Sequence, residues 1–204
     1  MASAVSENRK SGRWSSQTKP KDPSRLAFGH KYVALSPSSR VLFVPYTSLE
    51  TTFRSFIPYW KRGVESVAYW FGKEFEKEKE DVVLNVVIPR ATHNPGNFQV
   101  PEVEGTRIGH QMAEMSLVCL AQIHTHPKQI ATHSSYDDSH AISGRNGFLS
   151  LVVTHYGGVA NFDLNQMSVH EAWDHEWVVL EDKAKIERIR IVYDFDARVS
   201  DLDE

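Results

Sequence analysis

The stretch LVCLAQIHTH (117–126) is the feature that most constrains what this chain can fold into. It is apolar for most of its length and then ends in His124 and His126, directly before Pro127. The apolar run predicts a buried β-strand, and the proline predicts its end. Because side chains alternate along a strand, His124 and His126 project from the same face and can approach one ligand.

Several other stretches are typical of strands or helices. Apolar residues recur with helical spacing in 48–63, where Pro58 is expected to end or kink the helix, and in 106–116. Residues 90–105 are polar and predict a loop, whereas 134–143 is typical of a helix start capped by Ser134 or Ser135. Further strands are predicted at 40–45, 64–72, 81–89, 148–155 and 188–195.

This mixture of elements predicts an α/β or α+β sandwich around one central sheet. Residues 1–25, rich in Ser, Lys and Arg, predict a flexible N-terminal extension or an arm that orders on a partner. We expect residues 26–204 to form a single domain.

Composition narrows the functional class. Lys and Arg number 23 against 26 Asp and Glu, a net charge of −3 that does not favour nucleic-acid binding. Cys119 is the single cysteine, so neither an intramolecular disulfide nor a cysteine-rich zinc module can form. No apolar run is long enough to span a membrane, and the N-terminus lacks the apolar centre of a secretory signal. We therefore expect a soluble, cytoplasmic protein.

A carboxylate lies downstream of the histidine pair. Asp138 comes twelve residues after His126, in the first turn of the predicted helix, where it can return to the two rings. Two histidines and one carboxylate suit one Zn²⁺ ion, and three protein ligands leave a fourth position for a catalytic water. By contrast, we expect Asp137 to be a solvated first-turn acid, and His133 and His140 to be exposed.

A hydrolytic site also needs a proton carrier that is not a ligand. Glu65 is the acid that opens a strongly apolar predicted strand, where burial could tune its pKa. Ser135, three residues before Asp138, could donate its hydroxyl to a developing oxyanion, although a plain helix cap is the alternative role. HEAWDHE (170–176) imitates the zincin pattern His-Glu-x-x-His, but its second histidine comes one residue too late for a second metal site.

Two of these stretches resemble the JAMM (JAB/MPN) family of zinc metalloproteases. HTHP, seven residues and then SYDD fit the family pattern His-x-His-Pro-x7-Ser-x-x-Asp, and ESVAYWFG resembles the segment that carries the family's glutamate. The resemblance implies a cytidine-deaminase-like sandwich with a central mixed sheet flanked by helices. It also implies that His124, His126 and Asp138 bind zinc, that Glu65 is the general acid/base, and that Ser135 stabilises the tetrahedral intermediate.

The resemblance further implies an isopeptidase or peptidase that cleaves after the C-terminus of ubiquitin or a ubiquitin-like protein. Stand-alone prokaryotic members work beside activating and conjugating enzymes, including in antiphage defence. Two alternatives stay open: a processing protease for small sulfur-carrier proteins with the ubiquitin fold, and a non-catalytic MPN scaffold. We expect neither nucleic acid nor a membrane as a partner.

Overall fold

The computed structural model describes residues 31–127, 132–158 and 163–193. The predicted extension 1–25 lies outside these residues. The strands are β1 (Lys31–Val33), β2 (Val41–Pro45), β3 (Val67–Phe75), β4 (Glu80–Val87), β5 (Thr92–Asn94), β6 (Asn97–Gln99), β7 (Val118–Thr125), β8 (Leu149–Val153), β9 (Met167–Trp173), β10 (Glu176–Leu180) and β11 (Ile189–Val192). The helices are α1 (Tyr46–Trp60), α2 (Glu102–Glu114), α3 (Ser135–His140) and α4 (Asp182–Arg188).

Within this part of the chain, nine strands form one mixed sheet in the order β1-β10-β9-β8-β7-β3-β4-β2-β11. β7 pairs with β3 in the antiparallel direction and with β8 in the parallel direction, so the predicted histidine strand lies at the middle of the sheet. The prediction of a central mixed sheet is therefore confirmed.

Each face of the sheet is covered by helical side chains, as the sandwich prediction requires. On β3, Ala68 and Trp70 point to one face, where they join a large core cluster that includes Phe53 and Phe56 of α1. The indole N–H of the buried Trp70 donates a 2.8 Å hydrogen bond to the hydroxyl of Thr52, which satisfies its polar group.

The opposite face carries a smaller apolar cluster that supports the site end of the sheet. Val67 and Tyr69 of β3 pack there with Ile108 and Met112 of α2. Met115, which has the same helical spacing, is 53 % exposed, because the helix ends at Glu114 and the chain leaves the apolar stripe.

Two local predictions need correction. α1 does not end at Pro58, one of the two outcomes expected there, but continues to Trp60 and is followed by a turn at Gly63, whose φ of +65° lies in the left-handed region that glycine adopts easily. The predicted loop 90–105 contains the hairpin β5–β6 and the start of α2. Phe98, 5 % exposed, anchors this hairpin on the smaller apolar cluster.

A buried charge network links distant strands. The guanidinium of Arg188 lies 3.2 Å from Glu171 on β9 and 3.8 Å from Asp81 on β4. Arg40 donates to the same Asp81, and the hydroxyl of Ser36 donates to Glu171. Both buried carboxylates therefore have charged or hydroxyl partners.

Candidate metal centre

His124 and His126 lie together at the C-terminal end of β7. Their rings are 4.9 Å apart, and both side chains are buried. The end of the strand is held from the β8 side, where the N–H of His126 donates to the carbonyl of Val153 at 2.8 Å. The two imidazoles thus share one face, as strand alternation predicts.

The carboxylate beside the two rings belongs to Asp137, not to Asp138. Asp137 Oδ1 lies 3.4 Å from His124 Nε2, and Asp137 Oδ2 lies 3.2 Å from His126 Nε2. One ligand atom from each of these three residues lies within 4.8 Å of the others. Asp138 instead places its carboxylate 3.0 Å from Nδ1 of His133. The prediction that Asp138 joins the histidine pair is corrected accordingly.

The start of α3 explains this difference of one residue. Ser134 is the N-cap: its hydroxyl accepts from the N–H of Asp137, and the Asp137 carboxylate accepts from the N–H of Ser134. This reciprocal capping box turns Asp137 toward the sheet, where it is 4 % exposed. Successive helical side chains point about 100° apart, so only one of the two aspartates can face the rings. The expectation of a solvated Asp137 is wrong.

The serine shifts with the aspartate. Ser134, not Ser135, contacts the buried carboxylate, since its hydroxyl donates to Asp137 Oδ2 at 2.7 Å. Ser135 is exposed in the first turn of α3, where its carbonyl accepts from the hydroxyl of Ser139. Ser134 and Asp137 are three positions apart, and so are Ser135 and Asp138. The distance between serine and aspartate alone therefore does not choose between the two pairs.

The donor set fits a divalent metal ion. Among the described residues, Nδ1 and Nε2 of the fully buried His124 have no hydrogen-bond partner. Burial, only partly opposed by Asp137, lowers the pKa of His124 and leaves a neutral ring with a free lone pair. Burial also acts to raise the pKa of Asp137, but the two adjacent histidines outweigh it and hold that pKa well below its usual range. Imidazole nitrogens and an ionised carboxylate are typical metal ligands.

Glu65 lies beside this group without belonging to it. In the β3–β7 register Val67 is opposite His124, so two residues earlier Glu65 is opposite His126. It is only 3 % exposed. Burial raises the pKa of Glu65 to about 7, against the opposing influence of His126. A carboxyl with this pKa can exchange a proton near neutral pH.

The hairpin β5–β6 forms one wall of the centre. The ring of Phe98 lies 5.7 Å from that of His124, and the hydroxyl of Tyr156 donates to the carbonyl of Pro95 at 2.9 Å. The N–H of Tyr156 also donates to the carbonyl of His126 at 2.8 Å. Tyr156 has a φ of +56°, a left-handed conformation that a bulky residue rarely adopts, so its surroundings hold it in place.

His133 is a site neighbour that sequence reasoning missed. It was expected to be exposed, but it is buried, and it stacks on His170 with ring centroids 3.8 Å apart. Its Nε2 lies 2.8 Å from the hydroxyl of Ser150 on β8. A lone histidine in a polar stretch gave no signal of this burial. His140 is exposed, as expected, and stacks on Tyr136.

The HEAWDHE stretch forms β9, a turn and the start of β10. Glu171 is paired with Arg188, while His175 is exposed in the turn. Among the described residues, the group of potential metal ligands is His124, His126 and Asp137, which lies outside this stretch.

Part of the chain is similar in sequence to a known protein. No family model matches the chain. A probable metalloprotease, y4jG, from Sinorhizobium fredii (strain NBRC 101917 / NGR234) is 34 % identical over 100 residues, which are 47 % of this chain and 60 % of that relative. The match therefore spans less than two thirds of the relative's length.

Two solved structures are also similar. Protein DSY2949 from Desulfitobacterium hafniense superposes with a TM-score of 0.54 at 13 % identity, covering 78 % of this chain and 97 % of that one, which shows a shared fold. AF2198, a JAB1/MPN domain protein from Archaeoglobus fulgidus, superposes with a TM-score of 0.40 at 14 % identity, covering 74 % of this chain and 96 % of that one. Over the described residues, no helix is long and apolar enough to cross a membrane.

The motif and the site geometry agree with the similarity to the Sinorhizobium protein. The buried group of His124, His126 and Asp137 is also what the resemblance of the two motifs to the JAMM metalloproteases implies, with Asp137 in the place expected for Asp138.

Proposed function

We propose that the protein is a zinc-dependent isopeptidase or peptidase that cleaves after the C-terminal tail of ubiquitin or a ubiquitin-like modifier. The observation that carries the proposal is the buried group of His124, His126 and Asp137 with Glu65 beside it. These three ligands leave a position open on a four-coordinate ion, which is typical of catalytic rather than structural zinc sites.

The side chains have distinct roles in this proposal. His124, His126 and Asp137 would hold the zinc ion, which when bound supplies Lewis acidity and lowers the pKa of water. Glu65 accepts the proton of the attacking water and returns it to the leaving amine, because its pKa near 7 suits both steps. The hydroxyl of Ser134, rather than that of Ser135, lies against the ligand Asp137, and it would stabilise the developing oxyanion by turning its one hydrogen from Asp137 Oδ2 to that oxygen.

An extended C-terminal tail suits the surroundings of the site. In the described part of the chain β5 and β6 form a separate two-stranded sheet, and β5 contacts Glu65 through the carbonyl of Asn94, so β6 provides the outer strand edge of the hairpin. Such an edge can take an extended peptide by strand addition, as modifier tails often require. Activating and conjugating enzymes of the same pathway, in antiphage defence or elsewhere, would be functional partners.

A processing protease for sulfur-carrier proteins would use the same residues. It differs from a deconjugating enzyme only in the group that is attached to the terminal glycine of the substrate. A non-catalytic scaffold needs no proton carrier, so the buried Glu65 counts against it.

The test combines metal analysis with cleavage. The purified protein should contain about one zinc ion per chain and cleave a modifier fusion in a chelator-sensitive reaction. Glu65→Gln should keep the metal and lower kcat by about 100-fold or more, because general acid–base catalysis is worth roughly that much. Peptide and isopeptide fusions to the same modifier separate processing from deconjugation. Stoichiometric zinc with no cleavage of any fusion would contradict the proposal of an enzyme and would favour the non-catalytic scaffold.

A further inference from the structure

The main chain of Glu65 is held by the hairpin rather than by the central sheet. The last residue pair between β3 and β4 on this side is Tyr69 with Val87, four residues after Glu65. Beyond that pair, β5 takes the place of β4: the N–H of Glu65 donates to the carbonyl of Asn94 at 2.9 Å. The carbonyl of Glu65 lies 2.9 Å from Nδ1 of His93.

The bond to His93 defines the state of its ring. A carbonyl oxygen can only accept, so Nδ1 of His93 must carry the hydrogen. The side chain therefore replaces the main-chain N–H that a continuing strand would have supplied. Burial lowers the pKa of His93, although the bond to Glu65 opposes this, and a neutral ring with its hydrogen on Nδ1 fulfils the role.

The ring itself is fixed from a second side. The rings of His93 and Tyr59, near the end of α1, have centroids 4.1 Å apart. The carbonyl of Tyr59 accepts from the N–H of Val64, the residue before Glu65. Tyr59 and His93 thus clamp the segment Val64–Glu65 between α1 and the hairpin.

We propose that His93 is a positioning residue: its Nδ1–H, braced by Tyr59, fixes the main chain of Glu65 so that the carboxyl group is aimed at the centre formed by His124, His126 and Asp137. This inference rests on the proposed function. It adds a role for a residue that contacts neither the ligands nor the reacting atoms. Catalytic groups need such support because small displacements are costly in rate.

Three substitutions separate the donor from the ring. His93→Asn keeps an N–H close to the place of Nδ1, His93→Gln moves it outward by one carbon, and His93→Phe keeps a ring against Tyr59 without any donor. His110→Asn and His110→Phe are matched controls, because His110 is exposed on α2.

We expect His93→Phe to lower kcat by roughly 10- to 100-fold, with KM and zinc content unchanged, since a displaced carboxyl slows the chemistry only. His93→Asn should recover most of this loss and His93→Gln little of it. The ¹³C carboxyl resonance of Glu65 in the zinc-loaded protein, assigned by its absence from Glu65→Gln, should move in His93→Phe and stay in place in His93→Asn.

The resonance separates this inference from the proposed function. If no modifier fusion is cleaved but the resonance follows the donor, the positioning role stands and the function fails. Equal loss of kcat and of melting temperature in all three His93 variants would reduce His93 to a structural residue and overturn the inference. Unchanged kcat and resonance in His93→Phe would overturn it as well.

Discussion

Asp137 and Asp138 differ by one position in the chain and by their entire surroundings. Asp137 is buried against two imidazoles, whereas Asp138 points to His133. The site therefore depends on which residue begins α3, and the reciprocal capping box of Ser134 and Asp137 sets that start.

The two aspartates give a matched pair for metal binding. If zinc is held as proposed, Asp137→Ala should lose most of it, because the substitution removes one of three protein ligands. Asp138→Ala should keep about one ion per chain, and elemental analysis after dialysis measures both. Loss of zinc from Asp138→Ala but not from Asp137→Ala would show that Asp138 is the ligand, as the motif spacing predicted.

Glu65 gives a prediction about stability in the metal-free protein. Its pKa in the folded protein is about 7, above the ordinary 4.5, so the folded state holds the proton more tightly than the unfolded chain. The stabilisation from the neutral carboxyl is complete below about pH 4.5 and is lost as the pH rises through 7.

Glu65→Gln has no such ionisation. The free energy of unfolding of this variant, relative to the wild type, should therefore rise by up to about 3 kcal/mol between pH 4.5 and 8, since one pKa unit corresponds to about 1.4 kcal/mol. Urea titrations across this pH range, with a chelator present, measure the difference. A difference that does not change with pH would show that Glu65 titrates normally.

At the scale of elements, α3 is the short helix that carries the carboxylate. It has six residues, too few to be stable alone, so its capping box contributes much of its stability and fixes where it begins. The helix shows why a motif match can select the wrong neighbour: Ser134 with Asp137 and Ser135 with Asp138 are both serine–aspartate pairs three apart.

Ser134→Ala should destabilise the metal-free protein by about 1 kcal/mol, the usual value of an N-cap side chain. It should also weaken zinc binding, because Asp137 loses the hydroxyl that donates to it. Ser135→Ala is the control and should change neither quantity by more than a few tenths of a kcal/mol. Thermal unfolding and zinc titration read the two effects, and a larger effect of Ser135→Ala would place the cap one residue later.

Predictability from sequence differs among the elements for physical reasons. The end of β7 was predictable because apolar residues and period-two alternation act locally, and Glu65 because it opens an apolar strand. The hairpin β5–β6 was not, since its residues are polar and its support comes from Glu65, Tyr59 and Tyr156, all distant in sequence. The burial of His133 likewise depends on β8 and β9.

At the scale of the molecule, Arg188 and its partners join α4, β9 and β4 across the sheet. Replacing Arg188 by Met should lower the free energy of unfolding by about 3–5 kcal/mol, because Glu171 would stay buried without its cation. Arg190→Met, on the exposed side of β11, should change it by less than about 0.5 kcal/mol. Chemical denaturation measures both, and similar values for the two variants would mean that the network adds nothing.

The strands that carry the centre, β3, β7 and β8, are neighbours at the middle of the sheet, with three further strands on each side. Amide hydrogens in such strands exchange with solvent mainly when the whole molecule opens. A metal ion that binds only the folded state adds its binding free energy to that same opening. Metal loading should therefore slow deuterium uptake even in the edge strands β1 and β11, wherever their amides exchange by global unfolding. The metal centre would then stabilise every strand of the sheet against this opening.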